Sequence, residues 1–115
     1  MLPNGILACF HGSYQKWGIR VILSRDLGIT WHGPADTYGY AVDPGVYGYS
    51  HPVLLPDGSV YVVYLHSGGH RAADARTEAI WGLKVRVPDS ADGIEILPAP
   101  GSPAARGIAH TSAGI

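Results

Sequence analysis

Ser24-Arg25-Asp26-Leu27-Gly28-Ile29-Thr30-Trp31 is the stretch whose reading decides the fold. It fits Ser-x-Asp-x-Gly-x-Thr-Trp at every defined position, and each of those residue types suits a hairpin turn. The Asp26 carboxylate is placed to accept hydrogen bonds from N–H groups of its own turn, Gly28 to take a left-handed conformation, and Trp31 to pack over the hairpin. Ser24, Asp26, Gly28, Thr30 and Trp31 therefore read as a structural unit, and a carboxylate occupied by its own turn is not a candidate acid or base. Such a turn needs a strand leading into it, and Gly18-Ile19-Arg20-Val21-Ile22-Leu23 supplies one.

The rest of the chain extends this pattern. Apolar runs at Ile6 to Phe10, Ile19 to Leu23, Val53 to Leu55 and Val60 to Leu65 are short, β-branched or aromatic, and bounded by Gly, Pro, Asn or Asp. From Leu83 to Val87 apolar and cationic residues alternate, which puts Leu83, Val85 and Val87 on one face and Lys84 and Arg86 on the other. Sixteen Gly, nine Pro and seven Tyr among 115 residues favour turns and short strands over long helices, so the expected class is all-β. Arg71 to Glu78 reads as a helical turn or a loop. Residues 98–115 are mostly Ala, Gly, Pro and Ser, too poor in apolar side chains to offset the entropy of ordering, and are expected to form a loose tail after a folded unit at 1–97.

Leu2-Pro3-Asn4-Gly5 returns 53 positions later as Leu55-Pro56-Asp57-Gly58, each a tight turn into a strand. Gly18-Ile19-Arg20-Val21 is echoed by Gly82-Leu83-Lys84-Val85, and Ser24-Arg25-Asp26 by Ser90-Ala91-Asp92. The common order suggests a repeated unit of antiparallel strands of about 50 residues, the size of a propeller blade. In the first copy no strand precedes the turn, which reads as the tail of something longer.

Charge and cysteine content exclude several classes. Eight basic and nine acidic residues give a net charge of −1, with no basic surface for nucleic acid and no polybasic segment for anionic lipid. No apolar run reaches the ~20 residues of a membrane span, and residues 1–5 have no leader-like pattern. Cys9 is a single cysteine and can form no internal disulfide; no metal or cofactor site is expected, and nothing indicates a compartment.

The turn motif, Tyr47-Gly48-Tyr49-Ser50, and the hairpin Val53-Leu54-Leu55-Pro56-Asp57-Gly58-Ser59-Val60-Tyr61-Val62-Val63-Tyr64 together resemble the last blades of a sialidase-like β-propeller, in which the first motif is the Asp box of the BNR repeat. The resemblance covers about residues 2 to 97. It implies about two four-stranded antiparallel blades of a six-bladed ring, with Asp boxes on outer hairpins away from a central pocket. It also implies a glycoside hydrolase acting on terminal sugars of glycans, by retention, through a Tyr nucleophile assisted by a Glu, an Asp acid/base and an arginine triad on the sugar carboxylate.

Tyr49, in its Tyr-Ser context, stands at the nucleophile's place, with Arg20, Tyr47 and His51 as substrate-binding candidates. A free phenol with a pKa near ~10 needs a neighbouring base, so Tyr49 reads equally as a pocket-lining aromatic. Arg20 reads as a carboxylate clamp or as a solvated strand residue. His51 reads as a cavity residue or as the satisfied start of a strand. Tyr38, Tyr40, Tyr47 and Tyr49 suit stacking on sugar rings, and His66 and His70 flank Ser67-Gly68-Gly69 without a spaced carboxylate or thiol. The family's Tyr-Glu pair is replaced by Tyr64-Leu65-His66, and its acid/base Asp belongs to earlier blades. The chain by itself is accordingly expected to be inactive and to self-associate through open blade edges. The other reading is a non-catalytic carbohydrate-binding or structural module.

Overall fold

The computed structural model describes residues 1–13, 18–34, 39–43, 49–65 and 80–99. Its elements are seven strands: β1 (Leu7–Ser13), β2 (Gly18–Ser24), β3 (Tyr40–Asp43), β4 (Ser50–Leu54), β5 (Val60–Leu65), β6 (Ile80–Arg86) and β7 (Glu95–Leu97). They form two antiparallel meanders, a three-stranded sheet ordered β1-β2-β3 and a four-stranded sheet ordered β4-β5-β6-β7. The protein is all-β in its described residues. The first sheet has three strands among the described residues, where four per blade were expected: β1 is its edge, and no described residue pairs beyond it. Residues 71–78 and 100–115, read as a loop or turn and a tail, lie outside the described residues.

Two strands have bounds that apolar runs do not set. β3 is short, and Tyr40-Ala41-Val42-Asp43 is held by pairing with β2 across a register shift between Ile19 and Arg20. β4 starts at Ser50 because β5 offers partners as far as Tyr64, so pairing extends the strand beyond its apolar part.

The sheets stack one on the other. Ile19, Val21 and Leu23 of β2, with Val42, bury against Val60, Val62 and Tyr64 of β5 and Trp81, Leu83 and Val85 of β6. Alternation does the sorting: Lys84 and Arg86 stand on the face opposite Leu83 and Val85. Each fully buried Val, Leu or Ile contributes roughly 1.5–3 kcal/mol.

The repeated turn is reproduced in backbone detail. Leu2 N–H donates to Ile6 O at 2.8 Å and Gly5 N–H to Leu2 O at 2.9 Å; Leu55 N–H donates to Ser59 O at 2.8 Å and Gly58 N–H to Leu55 O at 3.0 Å. Gly5 and Gly58 have φ of 84° and 86°, a region in which a side chain is strained. With the turns superposed, Leu7 matches Val60, and their partners Ser24 and Val85 therefore match as well. Gly18-Ile19-Arg20-Val21 thus falls three residues out of step with Gly82-Leu83-Lys84-Val85, and that part of the sequence repeat is not a structural equivalence.

The same superposition matches Ala8 to Tyr61 and Phe10 to Val63. Ala8 and Phe10 turn toward the second sheet, where they share a cleft with Pro52, Leu54 and Val60. Tyr61 and Val63 point away from the first sheet, on the face that carries exposed Val53 and Ile80. The two sheets are stacked head to tail, each presenting the same face in the same direction.

Candidate functional site

The turn after β2 is closed by its own side chains. Asp26 Oδ1 accepts from Thr30 N–H at 2.8 Å and Asp26 Oδ2 from the Thr30 hydroxyl at 2.6 Å, while Ser24 Oγ donates to Asp26 Oδ1 at 2.8 Å. Ser24 Oγ in turn accepts from Gly28 N–H at 2.8 Å. The Trp31 indole N–H donates to Gly28 O at 3.1 Å, and its ring lies over Gly28, where an added Cβ would sit 3.5 Å from it. Leu27 and Gly28 take the left-handed conformation, with φ of 60° and 88°. Donation from the Thr30 hydroxyl and N–H, and then from Ser24, lowers the Asp26 pKa to about 2. Every acceptor position of this carboxylate that the turn addresses is in use, so its chemistry is architectural.

Related turns share parts of this device. Asp57 accepts from Ser59 N–H at 3.0 Å and from the Ser59 hydroxyl, and its other oxygen pairs with Lys84 at 3.0 Å. These donors, Ser59 first, hold the Asp57 carboxyl well below the usual carboxylate range. Ser90 Oγ donates to Asp92 Oδ1 at 2.7 Å, as Ser24 does to Asp26, but the left-handed residue there is Ala91 and the turn is a different one.

The other end of the sheets holds the buried Asp43 and Tyr64 side chains. Chain direction brings the ends of β1, β3 and β5 and the starts of β2, β4 and β6 together there. Ser50, Tyr64 and Trp81 lie side by side on the face of the second sheet that meets the first. The Tyr64 hydroxyl reaches across the interface and donates to Asp43 Oδ2, a hydrogen bond between two fully buried side chains. Burial first, then the Asp43 charge and hydrogen bond, push the Tyr64 phenol far above its ordinary pKa. Ser50 Oγ is buried beside this pair with no hydrogen-bond partner among the described residues. His32 Nε2 is also buried and without a hydrogen-bond partner among the described residues, but at the Asp-box end, where His32 pairs with Leu23 and its ring stands edge-on to Tyr40 with centroids 6.5 Å apart.

The candidates from sequence do not assemble on one surface. Tyr49 stands at this same end, just before β4, and is 81% exposed. Arg20 lies on the first sheet's face away from the second, opposite His11, and its guanidinium donates to Gly39 O at 2.9 Å. His51 is exposed on the second sheet's face away from the first, opposite Val63. Arg20 and His51 thus flank the stacked sheets from outside, and no hydrogen bond joins Tyr49 to a described carboxylate. Tyr40 is half-buried and packs against the core. Tyr47, Tyr38, His66 and His70 lie outside the described residues. Among the described residues no three His, Cys, Asp or Glu side chains converge as metal ligands.

The Asp43–Tyr64 pair was not among the sequence candidates. The available signal was an acidic residue closing an apolar strand and followed by Pro44, a context in which a carboxylate needs a buried partner. Comparison with protein-family models, with curated proteins and with solved structures finds no match for this chain.

Proposed function

We propose that these two sheets are successive blades of a sialidase-like Asp-box propeller and belong to a glycoside hydrolase acting on terminal sugars of glycans. The observation that carries this reading is the head-to-tail stacking. Sheets that present the same face in the same direction generate a ring when repeated, whereas a sandwich turns two inner faces toward each other. The turn built on Ser24, Asp26, Gly28, Thr30 and Trp31 supports the same family. Two sheets do not close a ring, and the open face bearing Val53, Tyr61, Val63 and Ile80 suits a further blade.

In this reading the sugar meets the sheet end where Tyr49 is exposed, opposite the Asp-box turn. Tyr49 is the nucleophile, a neutral phenol that does not repel an anionic sugar as a carboxylate would, and its base comes from outside the described residues. The buried Asp43–Tyr64 bond fixes the position from which the connection to Tyr49 departs. A second reading, a carbohydrate-binding or structural module, is favoured by one observation: among the described residues, the carboxylate buried at this sheet end, Asp43, accepts from Tyr64.

The test is hydrolysis of fluorogenic sialosides and other exo-glycosides by the full open reading frame containing these sheets. Turnover lost in Tyr49→Phe supports the hydrolase. Saturable sialoside binding without turnover supports the binding module, and neither activity nor binding refutes both in favour of a structural role.

A further inference from the structure

We infer that the edge of β1 left unpaired among the described residues is an acceptor for one more extended strand, running antiparallel to β1 and apolar at the two positions opposite Ala8 and Phe10. The inference rests on the repeated turn and on the edge itself, and does not depend on the hydrolase reading.

The edge's hydrogen-bonding groups follow from the ladder. Leu23 exchanges both backbone hydrogen bonds with His32, at 3.1 and 2.9 Å, so its polar groups point away from β1. Ala8 is the partner of Leu23 in β1, and in an antiparallel ladder it must then turn its own N–H and C=O outward, as must Phe10 two residues on. The second sheet gives the same result independently. There Leu55 N–H donates to Ser59 O, which makes Val53 and His51 the residues bonded to Tyr61 and Val63 of β5. Tyr61 and Val63 match Ala8 and Phe10, so β4 shows what fills the equivalent edge and in which register.

Side chains reinforce this. A strand in that register directs the residues opposite Ala8 and Phe10 into the cleft of about 190 Å³ formed by Met1, Leu2, Ala8, Phe10, Pro52, Leu54 and Val60. The two free edges beside this cleft are also unequal. Pro52 occupies a position of β4 whose N–H would point outward, so that edge lacks a donor, as guarded edges do. β1, Leu-Ala-Cys-Phe-His-Gly-Ser, carries no proline, lysine or acidic residue and is unguarded.

The occupant is therefore a peptide segment, and the probe is acetyl-Ser-Val-Pro-Val-Leu-amide, the β4 sequence with Val in place of His. Residue-resolved hydrogen exchange on the 115-residue chain should show the Ala8 and Phe10 amides slowed about tenfold or more at saturating peptide. Cys9 and His11, already bonded to β2, should be unchanged. A peptide with Asp for both Val should give no protection. Ala8→Pro removes only an edge donor, as Pro52 does in β4, and should abolish the effect while circular dichroism stays native. Protection elsewhere or none at all overturns the inference. So does protection of Ala8 and Phe10 in the free chain that fades on dilution, which would assign the edge to a second copy.

Discussion

Replacing Tyr64 by Phe removes one oxygen atom and tests how the two sheets are joined. The Tyr64 ring stays to fill its place between Ser50 and Trp81, so no cavity term is expected beyond the hydroxyl itself. What is lost is a hydrogen bond to a carboxylate that is 0% exposed, on a tyrosine that is 1% exposed. Hydrogen bonds to charged groups contribute about 1.5–3 kcal/mol, and water cannot reach Asp43 to replace the lost donor. A cost of about 2 kcal/mol lowers the Tm of a domain of this size by roughly 8 °C.

Thermal unfolding followed by circular dichroism, on Tyr64→Phe, Asp43→Asn and the double variant, isolates the pair. The double variant should be less destabilised than the sum of the singles by at least about 1 kcal/mol. Additivity within about 0.5 kcal/mol, or a Tm unchanged in Tyr64→Phe, would refute the claim that this bond ties the sheets together. The pH dependence adds a second check. The folded phenol titrates above its ordinary value of 10.0, so the stabilisation is complete below pH 10 and is lost as pH rises beyond it, and Tyr64→Phe should flatten that alkaline limb.

Other outcomes follow from the same geometry. Asp26 titrates at about 2 against an ordinary 3.8, so its contribution is present above pH 3.8 and lost as pH falls toward 2; Asp26→Asn should remove part of the acid-dependent loss of stability seen by circular dichroism. Gly39→Ala should destabilise by about 2 kcal/mol in denaturant titration, because its φ is +102° and a Cβ would stand 2.7 Å from Val21 O. Gly82→Ala drives a methyl into the Tyr61 hydroxyl and ring, and pairing it with Tyr61→Ala should restore much of the lost stability. Analytical ultracentrifugation of the chain should show self-association through the sheet face bearing exposed Val53 and Ile80; a compact monomer at all concentrations would count against a propeller segment.

Local chemistry was legible in the linear order. The Ser24–Trp31 turn and the Leu-Pro-Asn/Asp-Gly turns are closed by residues within four positions of one another, and a strand's inner and outer faces follow from alternation alone, as at Leu83 to Val87. Register was not. Gly18-Ile19-Arg20-Val21 and Gly82-Leu83-Lys84-Val85 look alike, yet pairing with β1 and β5 sets them three residues apart, because a strand's position is fixed by its neighbour's hydrogen bonds. The short strand Tyr40–Asp43 exists for the same reason, and the bond from Tyr64 to Asp43 joins side chains 21 positions apart. Sequence determined which residues form turns and strands, since those depend on near neighbours and period. Only the stacking of the sheets decided which faces meet and that Arg20 and His51 lie on opposite outer faces, since each depends on contacts between segments far apart in the chain.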